Sequence, residues 1–181
     1  GVLFLDYGDQ GLWTRSDGGV WSRISTLDPV QMVTAPGGAL YVDFGAQGLQ
    51  RWTPSTGFQL INASSPQQMV VGRNVVVLDY GAAGLWGYDL YGPSRWTKLD
   101  SRDARSMASD GIDVVVDFGA DGLWFADDKG AWLLHGGEAS AFGLSRTGGF
   151  AAFADGLWLW SEPDIQDRYW TRNQADYWTK I

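Results

Sequence analysis

Residues 114–124 read VVVDFGADGLW, and nearly the same words stand at 2–13 (VLFLDYGDQGLW), 39–50 (ALYVDFGAQGLQ) and 75–86 (VVVLDYGAAGLW). A fifth, shortened version, FAAFADGLW, occupies 150–158. The glycine of each Gly-Leu pair falls at Gly11, Gly48, Gly84, Gly122 and Gly156, giving spacings of 37, 36, 38 and 34 residues. Self-similarity at such a period must be settled before any local reading, because it makes each repeat one supersecondary unit.

Each repeat holds four short apolar runs divided by turn residues. In the second they are QMVTA, ALYVDFG, GLQRWT and GFQLI, separated by PGG, the Gly45–Gly48 turn and PSTG. Runs of this length, rich in Val, Leu, Tyr and Trp and punctuated by Gly and Pro, read as strands. No stretch carries a sustained helical period. Four antiparallel strands per repeat predict the blade of a β-propeller. We letter the strands a to d: a is the segment around Met32, Met69 and Met107, b ends in Asp-aromatic-Gly, c opens with Gly-Leu-Trp, and d holds WSRI, FQLI or WTKL. Strand b is apolar at nearly every position, as required when both of its faces are covered.

Spacing then suggests how the chain closes. The d-strand aromatic precedes the a-strand Met by eleven residues each time: Trp21 to Met32, Phe58 to Met69, Trp96 to Met107. Trp170 plus eleven is Ile181, so DYWTKI at 176–181 falls where a strand a should begin, while the first repeat opens directly in strand b. The expectation is a single domain over 1–181, an all-β five-bladed propeller. Its blades would be 177–181 plus 1–25, 30–62, 67–100, 104–135 and 139–173, with the C-terminal strand closing the ring against strand b near Leu3–Leu5. A competing alignment makes DYWTKI a strand d, because it resembles RWTKLD at 95–100. The first alignment is preferred because it leaves no blade incomplete.

The totals exclude several functions. A chain of 181 residues with 45% apolar and 19% charged residues folds around a substantial core. A net charge of −8 with no basic run argues against nucleic acid and anionic membrane, and no apolar run reaches membrane-spanning length. There is no cysteine and only one histidine, His135, which removes thiolate and multi-histidine metal sites. Asp127-Asp128 and the Asp164/Asp167 pair lack the spacing of a calcium loop. No cofactor is expected. The Gly1 start, without Met or a signal sequence, suggests a processed or excised chain.

With blade count, repeat pattern and Trp-rich strands in view, the sequence resembles five-bladed propeller lectins of the tachylectin type and, more loosely, bacterial secreted proteins with DFGxxGLW repeats. The resemblance implies a secreted or surface-exposed protein that binds sugars in clefts between blades. It transfers no individual contact residue.

The repeated motif admits two readings. Structurally, Asp6, Asp43, Asp79 and Asp117 precede a glycine-rich turn and can accept its backbone N–H groups. Functionally, the same carboxylates, with Tyr7, Phe44, Tyr80 and Phe118 beside them, could line clefts together with the TLDP, SSPQ and SRDA loops. A carboxylate accepts from sugar hydroxyls while a ring stacks on the apolar sugar face. Trp13, Trp86 and Trp124, each following Gly-Leu, either pack between blades or serve as platforms; Trp158 shares the position, and Gln50 replaces it in the second repeat. Trp21, Trp96, Trp132 and Trp170 on strand d offer a rim for glycan or protein. His135 is placed on a turn without a catalytic role.

Glycosidases need two carboxylates about 5–10 Å apart in one differentiated place, whereas these Asp residues recur symmetrically. The expectation is therefore a non-catalytic, multivalent glycan-binding module. An adaptor within a larger extracellular assembly is the alternative, and a glycoside hydrolase the third choice.

Overall fold

The computed structural model describes residues 2–92, 95–161 and 178–181. They form two compact units, Gly1–Met69 and Val70–Ile181, built from five antiparallel sheets. Among the described residues no helix is long and apolar enough to cross a membrane.

The first unit contains β1 (Leu3–Asp6), β2 (Leu12–Arg15) and β3 (Trp21–Ser25) in one sheet. A second sheet holds β4 (Gln31–Thr34), β5 (Leu40–Asp43), β6 (Leu49–Thr53) and β7 (Gly57–Asn62). Phe4 and Leu12 of one sheet pack with Leu40, Val42 and Phe44 of the other to form the core of this unit.

The unit boundary falls inside β8 (Gln68–Val71), which pairs in order with β9 (Val75–Asp79), β10 (Leu85–Asp89) and β11 (Trp96–Asp100). The next sheet is β12 (Ser106–Ser109), β13 (Val114–Asp117), β14 (Leu123–Asp127) and β15 (Gly130–His135). Val75, Val77, Leu85 and Leu99 meet Val114, Val116 and Phe118. The last sheet is β16 (Ala141–Ser145), β17 (Gly148–Phe153), β18 (Gly156–Ser161) and β19 (Trp178–Lys180). Its Ala151 and Phe153 pack with Val115, Leu123 and Leu134. Strand b is buried at every residue of β5, β9 and β13, as a nearly unbroken apolar run requires, whereas β17 of the last sheet is only partly buried.

The a strands expected around Met32, Met69 and Met107 appear as β4, β8 and β12. The chain's end differs from expectation. Trp178–Lys180 pairs with β18 in the register Trp158↔Lys180, Leu159↔Thr179 and Trp160↔Trp178, so it is the strand d of its own sheet and does not close a ring as strand a. The reason is side-chain chemistry. In β10–β11 the pair Trp86↔Lys98 sets Lys98 Nζ over the Trp86 ring at 5.6 Å. Lys180 repeats this over Trp158 at 5.7 Å and adds a 3.0 Å ion pair to Asp155. The d-strand position expected at Trp170, and the Asp164/Asp167 pair, lie outside the described residues.

Candidate functional site

The repeated motif folds into one turn, built the same way four times. Asp6, Asp43, Asp79 and Asp117 accept the backbone N–H of the glycine two residues on, at 2.8, 2.9, 3.1 and 2.7 Å from Oδ1. A single 3₁₀ turn follows at Gly8–Gln10, Gly45–Gln47, Gly81–Ala83 and Gly119–Asp121. The aromatic residue's N–H closes onto the carbonyl of the second glycine, as in Tyr80 to Gly84 at 3.1 Å.

That second glycine is obligatory. At Gly84, φ is +87° and an added Cβ would lie 2.4 Å from the Asp100 carbonyl oxygen; Gly11, Gly48 and Gly122 have the same geometry against the end of their own strand d. The close approach coincides with a β-bulge between strands c and d in all four sheets. Beside it Leu12, Leu49, Leu85 and Leu123 are buried; each contributes about 2 kcal/mol of hydrophobic stabilisation.

The tryptophans that follow brace the turn. Trp13, Trp86 and Trp124 donate Nε1–H to the carbonyls of Gln10, Ala83 and Asp121. Gln50, which stands in place of the ring, donates from Nε2 to Gln47 in the same way. In the fifth repeat, shortened by two residues, β17 passes to β18 through Ala154–Asp155 alone. There Asp155 accepts from Trp158 Nε1 at 3.0 Å.

Asp43, Asp79 and Asp117 are at most 1% exposed, and Phe44 and Phe118 are buried with them; Tyr80 and the three tryptophans are half-buried. Cations already cover two of the platforms: Lys98 lies over Trp86, and Arg102 lies 4.1 Å from the Phe118 centroid and 3.9 Å from that of Trp124. Arg102 is held in place by a fork onto Asp100, at 2.9 and 2.6 Å, which holds the Asp100 carboxyl below its usual range. Only Asp6 and Tyr7 of the motif pairs stand exposed.

What varies between sheets is the partner of the second carboxylate oxygen. Asp43 Oδ2 accepts from Ser65 Oγ at 2.6 Å. Asp79 Oδ2 is buried without a donor. Burial first, and then the charge of Asp103, push the Asp79 carboxyl above its usual range, against the backbone N–H groups of Ala104 and Gly81. Asp117 Oδ2 is gripped by Arg105, through Nε at 2.7 Å and a terminal nitrogen at 2.6 Å. Arg105 also pairs with Glu138 and donates to the Ala139 carbonyl.

Around Arg105 opens a cleft of about 640 Å³, lined by Asp117, Glu138, Ser140, Phe142 and Phe153 among others. It lies within the second unit, beside the first strands of the last two sheets. Arg105 and Glu138 were not foreseen. Their signal was positional: Arg105 stands two residues before a strand-a Met, where the other repeats have Val30 and Gln67. His135 is also placed differently from expectation. It ends β15 rather than sitting on a turn, and its ring stacks on Phe153 at 4.1 Å with Trp158 and Trp178 beside it, a packing role. Among the described residues no group of three acidic, His or Cys side chains could hold a metal.

The chain is similar to solved structures at the level of fold. It matches a chain in the crystal structure of a mitotic checkpoint complex at a TM-score of 0.56 and 13% identity, covering 88% of this chain and 58% of that one. The computationally designed protein Ika8 matches at 0.55 and 13%, covering 88% and 55%. The extracellular domain of a hybrid two-component system from B. thetaiotaomicron matches at 0.55 and 13%, covering 92% and 26%. The chain thus spans little more than half of the first two and about a quarter of the third. With the sheet layout, these likenesses define a β-propeller-like all-β fold. No family model matches the sequence, and no curated protein does.

Proposed function

We propose that the chain is a non-catalytic binding module, its five sheets the blades of a five-bladed propeller of the lectin-like kind, secreted or surface-exposed, with a glycan as its ligand. The observation that carries this reading is the Arg105 cleft. Arg105 fixes Asp117 and Glu138 on one side, while Ser140, Phe142 and Phe153 offer a hydroxyl and apolar ring surface on the other. Hydrogen-bond acceptors and donors beside aromatic rings suit a hydroxylated sugar ring.

One thing favours binding over cleavage. Asp117 is buried and gives one oxygen to Gly119 and the other to Arg105, so its carboxylate is committed to the turn and the ion pair. The cleft differs from its repeat equivalents, which narrows the expectation of many equal sites to one. The test is a glycan array probed at high protein density, with simple sugars as competitors. Retention on a defined glycan class, weakened at least about tenfold by Glu138→Gln or Phe142→Ala, supports the reading. Silence across the array sinks it.

The adaptor reading has its own support in exposed apolar residues of the last sheet. Phe150 pairs with Leu159 across β17–β18, next to Leu157, and all three are 41–45% exposed.

A further inference from the structure

The cleft around Arg105 has a charge that its lining fixes. Its ionisable side chains are Arg105, Asp117 and Glu138, one formal positive charge against two negative. The chain as a whole carries a net charge of −8, and such a field draws cations in and keeps anions away. The arginine does not reverse this. Nε faces Asp117 Oδ2 at 2.7 Å, one terminal nitrogen faces the same oxygen at 2.6 Å and donates to the Ala139 carbonyl, and the other pairs with Glu138. Every nitrogen of the guanidinium thus meets an acceptor of the chain, so no parallel N–H pair is left to fork onto a ligand carboxylate or phosphate. The Ser140 hydroxyl proton is also engaged, on the Ala152 carbonyl at 3.1 Å, which leaves its lone pairs for a ligand.

What the cleft offers is acceptor capacity beside aromatic rings. Glu138 is 62% exposed and meets Arg105 through Oε1; among the described residues no donor reaches its Oε2. Phe142 and Phe153 share the lining, and Phe153 is held by its stack on His135. A carboxylate next to aromatic rings is the chemistry that recognises an ammonium group, whose charge is attracted both to the carboxylate and to the electron-rich ring faces. We propose that the cleft takes a protonated primary amine and refuses anions. Resting on the glycan reading above, the ligand is a sugar that carries a free amino group. Acetylating that amine removes the charge on which both attractions depend.

The test titrates the intact protein by calorimetry with the trimers of glucosamine, N-acetylglucosamine and galacturonic acid. The free amine should bind at least about fivefold more tightly than the acetamide, with the uronic acid below detection. Added salt should erode the amine's advantage and leave the acetamide's affinity unchanged. Glu138→Gln should bring amine and acetamide to parity; the side chain is exposed, so the variant keeps its fold, and the salt titration needs no variant. Equal or tighter binding of the acetamide, or tighter binding of the uronic acid, overturns the proposal and leaves the glycan reading standing. Nα-acetyl-lysine amide supplies the same ammonium without a sugar. If it binds as tightly as the amino sugar, the cation site stands and the glycan reading falls. Binding of neither amine at millimolar concentration overturns the proposal.

Discussion

The turns after β9 and β13 are the same object with opposite electrostatics. Both hold a buried carboxylate against the N–H of a glycine two residues on, and both close on a glycine pressed against strand d. At Asp117 the spare oxygen meets a guanidinium; at Asp79 it meets no donor and has a second carboxyl for a neighbour. The backbone frame is therefore set by the repeat, while the charge state of each frame is set by loop residues outside the motif. A propeller-like fold can carry one differentiated cleft on similarly built sheets for this reason.

Removing what the two turns share should produce the largest effect. Gly84→Ala and Gly122→Ala each combine a left-handed backbone with a Cβ at 2.4 or 2.3 Å from a carbonyl oxygen. Strain and overpacking together cost about 4 kcal/mol, equally at both sites, as read by chemical denaturation. A cost below 1 kcal/mol at either would show that the frame yields.

Truncating the carboxylates should separate the turns. Asp117→Ala loses a charge-assisted bond to Gly119 and leaves buried polar groups unanswered, about 3 kcal/mol. Asp79→Ala loses the same turn bond but also relieves a buried charge beside Asp103, so the net cost is about 1 kcal/mol. Equal costs would mean that the second oxygen does not matter.

The smallest effect carries a sign. The folded state raises the Asp79 carboxyl above the ordinary carboxylate value. The stability linked to this group is therefore fully present below that value and lost as pH rises through the folded-state value. Asp79→Asn, which cannot ionise, should be the more stable form at pH 7 by on the order of 1 kcal/mol, after screening through exposed Asp103. Its advantage should vanish on acidification. Asp100, held low chiefly by Arg102, works in the opposite sense and loses its contribution as pH falls. An Asp79→Asn advantage that does not change with pH would break the contrast.

The fold was largely legible because its determinants are local. The period, the alternation of strand and turn, and the paired glycines are written in adjacent residues, and β4, β8 and β12 fall where spacing puts them. Counting residues misassigned the end of the chain, because Trp178–Lys180 is placed by Lys180 reaching Trp158 and Asp155, two groups more than twenty residues earlier. The likeness of DYWTKI to RWTKLD was the better guide, since it encodes that same lysine-over-ring contact. At the candidate site, the motif residues were visible but their burial was not, and Arg105 with Glu138 escaped notice because neither belongs to the repeated words. Gln50 illustrates the limit from the other side: its sequence departs from the repeat, yet its hydrogen bond does not.

The contact between each Gly-Leu glycine and the end of strand d also ties the two hairpins of a repeat to different fates. The five-residue segment joining strands b and c is constant in four repeats, at 7–11, 44–48, 80–84 and 118–122, whereas the c-to-d connections at 16–20, 54–56 and 128–129 differ in length. Lengthening the former would drag the far strand with it; lengthening the latter disturbs nothing that the glycine touches. Descendants of one duplicated ancestor could thus drift freely at one end of each sheet while staying fixed at the other, and foreign loops grafted for new recognition belong at the drifting end.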